Sequence, residues 1–229
     1  MARRLFRQFA FKLVDLWRSE SGVHEPDWKT VAEEWLIYDT ARRRGQGVLL
    51  VTPHLGNWEL GGPLLAQHGV KLIVLTLAEP GRGLTAFRSA ARARWGIETI
   101  VVGDDGFAFV EIIKRLQAGD TVALLLDRPP QRNAATIQLF GRPFRASLAA
   151  AELARASGCA LVGVAIVRIG ESYKVQVLPE FAYDRRALGN RESRQDLTQQ
   201  IMKAFECGIL ANPDQWYHFV HVWPDDFKT

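Results

Sequence analysis

The stretch Val48–Gly62, VLLVTPHLGNWELGG, carries the signal from which both fold and site can be read. The run from Val48 to Thr52 suits a strand buried on both faces, and Pro53 stops it because proline lacks the N–H that a ladder needs. His54 then stands in a turn ahead of a helical pattern over about 57–67. Ligands of open α/β sheets bind beyond the carboxyl ends of strands, which places His54 where chemistry is usually done. Gly56 lets backbone approach closely, and Asn57 is a suitable N-cap. Glu59 falls in the first helical turn, five residues after His54, where it is expected to orient the imidazole.

Outward from this stretch the same alternation repeats. Apolar strands are expected at 71–77, 97–102 and 121–127, with helical patterns at about 84–95 and 105–118 between them. Parallel strands need crossover helices, so the expected fold is α/β, a mainly parallel central sheet flanked by helices. Beyond Asp127 the pattern predicts a short strand near 136–140, a helix over 147–157, strands at 160–169 and 172–178, and a helix over 192–210. Upstream, Asp27 is the expected N-cap of a helix running through Trp28, Val31, Trp35 and Leu36 to Arg42–Arg44. The expected organisation is an N-terminal helical, membrane-proximal lead-in over 1–45 and an α/β domain over 46–229.

Composition narrows the function classes. With 229 residues, 48% of them apolar and a net charge of +4, the chain can bury about 70–75% of its unfolded surface without staples. The mild basicity falls short of nucleic-acid coating, so no nucleic-acid partner is expected. Two cysteines, Cys159 and Cys207, have no second ligand at metal spacing, which argues against a zinc site or a disulfide framework and fits a reducing cytoplasm. No apolar run approaches the roughly 18–20 residues that span a bilayer. At the N-terminus, Arg7, Gln8 and Lys12 interrupt what would be the core of a signal peptide. This segment instead places Leu5, Phe6, Phe9, Leu13, Leu16 and Trp17 at helical spacing, with Arg3, Arg4, Arg7, Lys12 and Arg18 elsewhere. Such a helix either lies on an anionic membrane surface or packs on the domain's own core, and periodicity leaves both readings open.

A neutral imidazole takes a proton from a hydroxyl at pH 7, and a carboxylate on its other nitrogen fixes the tautomer. No G-x-S-x-G elbow offers a serine nucleophile, so an acyl-enzyme hydrolase is disfavoured, while direct attack by an acceptor hydroxyl on a bound acyl donor stays open. Gly81-Arg-Gly83 lacks the third glycine of a dinucleotide fingerprint, and there is no Walker lysine. His218 and His221 stand without a matching ligand cluster and read as packing or hydrogen-bonding residues. Neither a metal nor a cofactor is expected.

The block H-L-G-N-W-E after an apolar strand resembles the active-site block of the bacterial lipid A biosynthesis (lauroyl/myristoyl) acyltransferases, within the lysophospholipid/glycerolipid acyltransferase superfamily. In matching order, Arg92 in RARWG, Asp127 in LLLDR, the FGRPFRASLAAAELARASGCALVGVAIVR segment and NPDQWYHFVHVW are similar to further blocks of that family, from about residue 46 to 223. The resemblance implies an acyltransferase that moves a fatty acyl chain from an acyl carrier protein or acyl-CoA thioester to a hydroxyl of a lipid or glycolipid. It would work as a peripheral enzyme on the cytoplasmic face of the inner membrane. His54 and Glu59 are its implied catalytic pair, and Asn57, Trp58, Arg92, Asp127, Arg128, Phe140, Gly141 and Ser147 its implied substrate-binding residues. Backbone N–H groups near Gly56 and Asn57, or Arg92, are the expected oxyanion donors. The Asp127-Arg128 pair replaces the family's Asp-Gln, and His218, His221, Asp225 and Asp226 replace its Arg-rich ending. An acceptor other than lipid A, such as an aminolipid or polyketide-like lipid, is therefore open, as is a non-catalytic lipid- or carrier-binding homologue.

Overall fold

Helix and strand alternate along the computed structural model as α1 (Ala2–Glu20), β1 (Asp27–Lys29), α2 (Ala32–Arg43), β2 (Val48–Thr52), α3 (Gly61–Gln67), β3 (Leu72–Leu77), α4 (Arg82–Ala93), β4 (Glu98–Val102), α5 (Phe107–Gln117) and β5 (Thr121–Leu125). There follow β6 (Ala134–Leu139), β7 (Arg142–Ser147), α6 (Ala149–Ser157), β8 (Ala160–Ile169), β9 (Ser172–Val177), α7 (Arg191–Ala204) and α8 (Glu206–Ala211). The structure describes residues 1–21, 27–29, 32–78, 82–102, 106–129, 133–219 and 222–223. Gly81, His221, Asp225 and Asp226 lie outside them.

One sheet of order β1-β9-β8-β2-β5-β3-β4 organises the fold, and β6 and β7 form a separate hairpin. The central neighbours β8, β2, β5, β3 and β4 run parallel, while β9 is antiparallel to β8 and carries β1 on its outer edge. The α/β architecture expected from the alternation is therefore present. Every residue of β2 is buried, as a strand covered on both faces requires. Leu49 and Val51 join the core built with Ile112, Leu153 and Ile201 of α5, α6 and α7. Val48 and Leu50 join a second core with Tyr38, Leu64 and Leu65 of α2 and α3 on the opposite face. Each such buried aliphatic contributes about 1.5–3 kcal/mol relative to exposure.

Four expectations need correction. Asp27 and Trp28 begin no helix: they pair in parallel with Ser172 and Tyr173, so the stretch read as a lead-in supplies an edge strand of the main sheet. The helix expected over 147–157 starts at Ala149, and Ser147 instead ends β7, RPFRAS, whose Phe144 and Ala146 point inward while Pro143 and Arg145 point out. The helix expected over 192–210 breaks at Phe205 into α7 and α8. Lastly, Lys12 of α1 is not on a solvated face, being only 4% exposed. Among the described residues no helix is long and apolar enough to cross a membrane.

Candidate active site

Strands β2 and β5 are parallel neighbours in which Thr52 faces Leu125, and the Leu126 N–H extends the ladder by donating to the Thr52 carbonyl at 3.1 Å. Two residues past each member of that pair stand His54 and Asp127. The register thus brings together two side chains 73 positions apart: His54 Nδ1 lies 2.6 Å from Asp127 Oδ1, and the His54 backbone N–H donates to Oδ2 at 2.9 Å. A third segment then closes over them. Gly56 N–H donates to the Gln215 carbonyl, Tyr217 N–H donates to the His54 carbonyl, and Leu55 bridges Trp216. Gln215 is itself pinned by two hydrogen bonds to the backbone of Arg168 in β8, each 2.8 Å. This lays Trp216 Nε1 and His218 Nε2 on Asp127 Oδ2, each at 2.8 Å.

Asp127 is fully enclosed, its side chain 0% exposed, so as a carboxylate it needs donors for its lone pairs, and it has four. Burial alone would raise its pKa; the hydrogen bonds and charges of His218 and His54 outweigh that and hold it far below the ordinary carboxylate value. An ionised acceptor opposite Nδ1 makes that nitrogen the donor, which leaves Nε2 of a neutral His54 as the basic atom. Burial lowers the His54 pKa below its ordinary 6.5, opposed by the hydrogen bond and charge of Asp127. The imidazole is thereby held toward its neutral form.

The carboxylate beside His54 is thus Asp127, and the expectation that Glu59 orients the imidazole is corrected. The reason is Gly56. Its φ is +66°, and a Cβ there would stand 1.9 Å from the carbonyl oxygen of Ile166, so only glycine lets the chain turn this close to β8. After that turn a 3-10 turn at Trp58–Leu60 carries Glu59 to the other face of the sheet. There Arg92, on the last turn of α4, clamps Glu59 through Nε at 3.1 Å and Nη2 at 2.7 Å. Burial would raise the Glu59 pKa, but Arg92, then Lys12 and Arg88, bring it below the ordinary value. The expected oxyanion donors are committed elsewhere too: the Gly56 and Asn57 N–H groups serve the Gln215 and Ile166 carbonyls, and Arg92 serves Glu59. Asn57 is buried and makes no side-chain cap, its amide donating instead to the Lys12 carbonyl at 3.1 Å.

Two cavities flank the sheet and share Thr76, Leu124 and Leu125 in their walls. A cleft of about 980 Å³ contains His54, Arg128, Asn133 and Ser147 beside Leu77 and Phe109. On the opposite face, a narrow space lies between the sheet and α3, lined by Leu50, Leu65, Leu72, Val74 and Ile97 with Trp58, Glu59 and Arg92. His54 and Arg128 therefore share the first cleft, and Trp58 and Arg92 belong to the space on the opposite face. Ser147 both lines the cleft and accepts the Ala149 N–H at the start of α6. Phe140 and Gly141 form the β6–β7 turn, both with positive φ, and line neither cavity; the Phe140 ring backs Trp216 at 6.4 Å. Among the described residues no group of three or more His, Cys, Asp or Glu side chains is placed to hold a metal ion. Trp216 was not singled out from the sequence, and His218 was read as a hydrogen-bonding residue without its partner. Their contact with Asp127 has no local signature.

A histidine-carboxylate pair thus stands at the carboxyl ends of parallel strands in an α/β fold, with a cavity on each face of the sheet. The sequence matches the family described as "Bacterial lipid A biosynthesis acyltransferase" over residues 14–224, and the chain belongs to that family. It is 29% identical to a phosphatidylinositol mannoside acyltransferase of Mycobacterium tuberculosis over 192 residues, 83% of this chain and 58% of the relative. A protein of the same name from Mycolicibacterium smegmatis is 25% identical over 220 residues, covering 93% of this chain and 70% of the relative. The chain thus spans somewhat over half the length of the M. tuberculosis relative.

Proposed function

We propose that the protein is an acyltransferase that moves a fatty acyl chain from a thioester, on acyl carrier protein or CoA, to a hydroxyl of a glycolipid. The observation that carries this reading is the neutral His54, held by Asp127 and set in a cleft that adjoins an apolar cavity. Nε2 of His54 takes the proton of the acceptor hydroxyl, whose oxygen attacks the thioester carbonyl carbon. The tetrahedral oxyanion collapses, the C–S bond breaks, and the imidazolium returns the proton to the departing thiolate. Arg128, in the same cleft, is the cation best placed to stabilise developing negative charge. The apolar cavity suits the acyl chain, and the cleft with Asn133 and Ser147 suits a polar head group. The names of the relatives favour a mannose-bearing phosphoinositide as acceptor.

The same reading puts the enzyme peripherally on the inner face of the membrane. Helix α1 docks through Phe9, Lys12, Asp15 and Ser19 and leaves Phe6, Val14 and Trp17 exposed beside Arg3, Arg7 and Arg18, a combination suited to anionic lipid.

The test is transfer from radiolabelled palmitoyl-CoA to a phosphatidylinositol mannoside, with release of CoA thiol, by wild type and by His54→Ala. Labelled product from the wild type and a loss of about a thousandfold or more in the variant are expected. Near-normal turnover by a folded His54→Ala would refute the general-base assignment. Binding without turnover by the wild type, with any acyl donor, would favour a non-catalytic homologue.

A further inference from the structure

Lysine is almost never fully buried unless it is paired, and Lys12 breaks that rule. Its Nζ lies 3.1 Å from the centroid of the Trp58 ring, with Phe9 and Tyr217 at 5.8 and 5.7 Å. Among the described residues no carboxylate comes within ion-pair distance of it. Trp58 in turn meets His54 edge to face, the ring centroids 4.9 Å apart at 78°. The ammonium also faces Glu59 from the 3-10 turn, Arg88 and Arg92 from α4, and Arg128 beyond β5. A methionine would fill the same space without the cost of desolvating a charge, so stability does not account for the lysine.

We infer that Lys12 is a positioning residue of the acyl-transfer site: its ammonium, held against Trp58, fixes the indole against His54 and offsets the charge of Glu59. The inference rests on the proposed role of His54. It makes α1 a working part of the site, since the helix delivers Lys12 and is anchored there by Asp15, which accepts from Tyr173 at 2.6 Å and Arg168 at 3.2 Å. Burial pulls the Lys12 pKa down to about 7, Glu59 raising it and the three arginines lowering it further. The cation is therefore present below that pH and fades above it.

The experiment compares wild type, Lys12→Met, Lys12→Arg and His54→Ala with palmitoyl-CoA and a phosphatidylinositol mannoside. Lys12→Met should lower kcat by about tenfold with KM changed by less than about twofold, while Lys12→Arg stays within about threefold of wild type. Because guanidinium keeps its charge, the ratio of Lys12→Arg to wild-type activity should rise between about pH 6 and 9. Lys12→Met should melt no lower than wild type, which a merely structural lysine would not allow; Lys12→Gln replaces it if it fails to fold. Independently of turnover, the His54 Cε1–H resonance, displaced by the Trp58 ring current, should move in Lys12→Met and stay in Lys12→Arg. An unchanged resonance and unchanged kcat in Lys12→Met would overturn the inference, even where His54→Ala is inactive. Activity in His54→Ala would instead overturn the reading on which it rests.

Discussion

Two buried carboxylates stand on opposite faces of the same sheet, and they are kept ionised by different means. Asp127 is surrounded by N–H groups of two histidines, a tryptophan and the backbone, all hydrogen-bond donors of modest charge. Glu59 is clamped by the guanidinium of Arg92, with Arg88 and the titratable Lys12 nearby. The first environment leaves its carboxylate free to govern a neighbouring proton; the second neutralises its carboxylate outright. A carboxylate that tunes a base needs partners whose protonation can change, and arginine is not one of them.

The sharpest way to break this contrast is to remove each negative charge without changing shape. Asp127→Asn turns an acceptor into a donor opposite His54, flips the tautomer and protonates Nε2, so kcat should fall by roughly a thousandfold or more. Glu59→Gln should keep activity within about tenfold, yet cost about 3–5 kcal/mol of stability, because it leaves buried cations unbalanced. Parallel kinetics and urea unfolding of the two variants decide the matter; equal kinetic losses would mean that both carboxylates serve the proton.

The second test concerns pH. A folded-state pKa lowered below 6.5 means that His54 takes up a proton only as the pH falls past that lower value. The acid limb of kcat/KM should therefore have its midpoint below 6.5, with a plateau through neutrality. A midpoint at or above 6.5 would show the imidazolium to be favoured, contrary to the burial that dominates here. The smallest expected effect concerns the exposed side of α1. Replacing Phe6 and Trp17 by Ser should weaken co-sedimentation with anionic phosphatidylglycerol vesicles by about tenfold, while turnover of micellar substrate changes by less than about twofold. Undiminished co-sedimentation would remove the outward stripe of α1 from membrane contact.

Much of the architecture was legible because buried parallel strands announce themselves: β2 and β8 were bounded correctly, and β3 to within a residue. The edges were harder. β1 is short and led by Asp27, which also suits a helix cap, and β7 hides behind the Phe140–Gly141 turn and Pro143. At the site, His54 and Asp127 were both visible as strand-end residues, but their pairing depends on β2 and β5 being neighbours in register, which no local pattern encodes. The spacing from His54 to Glu59 pointed the wrong way, since residues five apart would meet only if no turn intervened, and Gly56 supplies one. Lys12 was unreadable for a related reason: helical periodicity counts it as charged surface, and only the fold shows that it lies on the inward side of α1 with Ser19 while Arg3, Arg7 and Arg18 stay exposed.

The strap that carries Gln215 to His218 also says something about how this protein is made. A ribosome delivers His54 first, Asp127 next and Trp216 and His218 after the whole sheet has emerged. Until the strap arrives, Asp127 lacks two of its four donors and the turn at Leu55–Gly56 lacks its bridge. A nascent chain can thus complete its sheet while the base is still unset, so a product truncated before residue 213 would fold around a dormant centre.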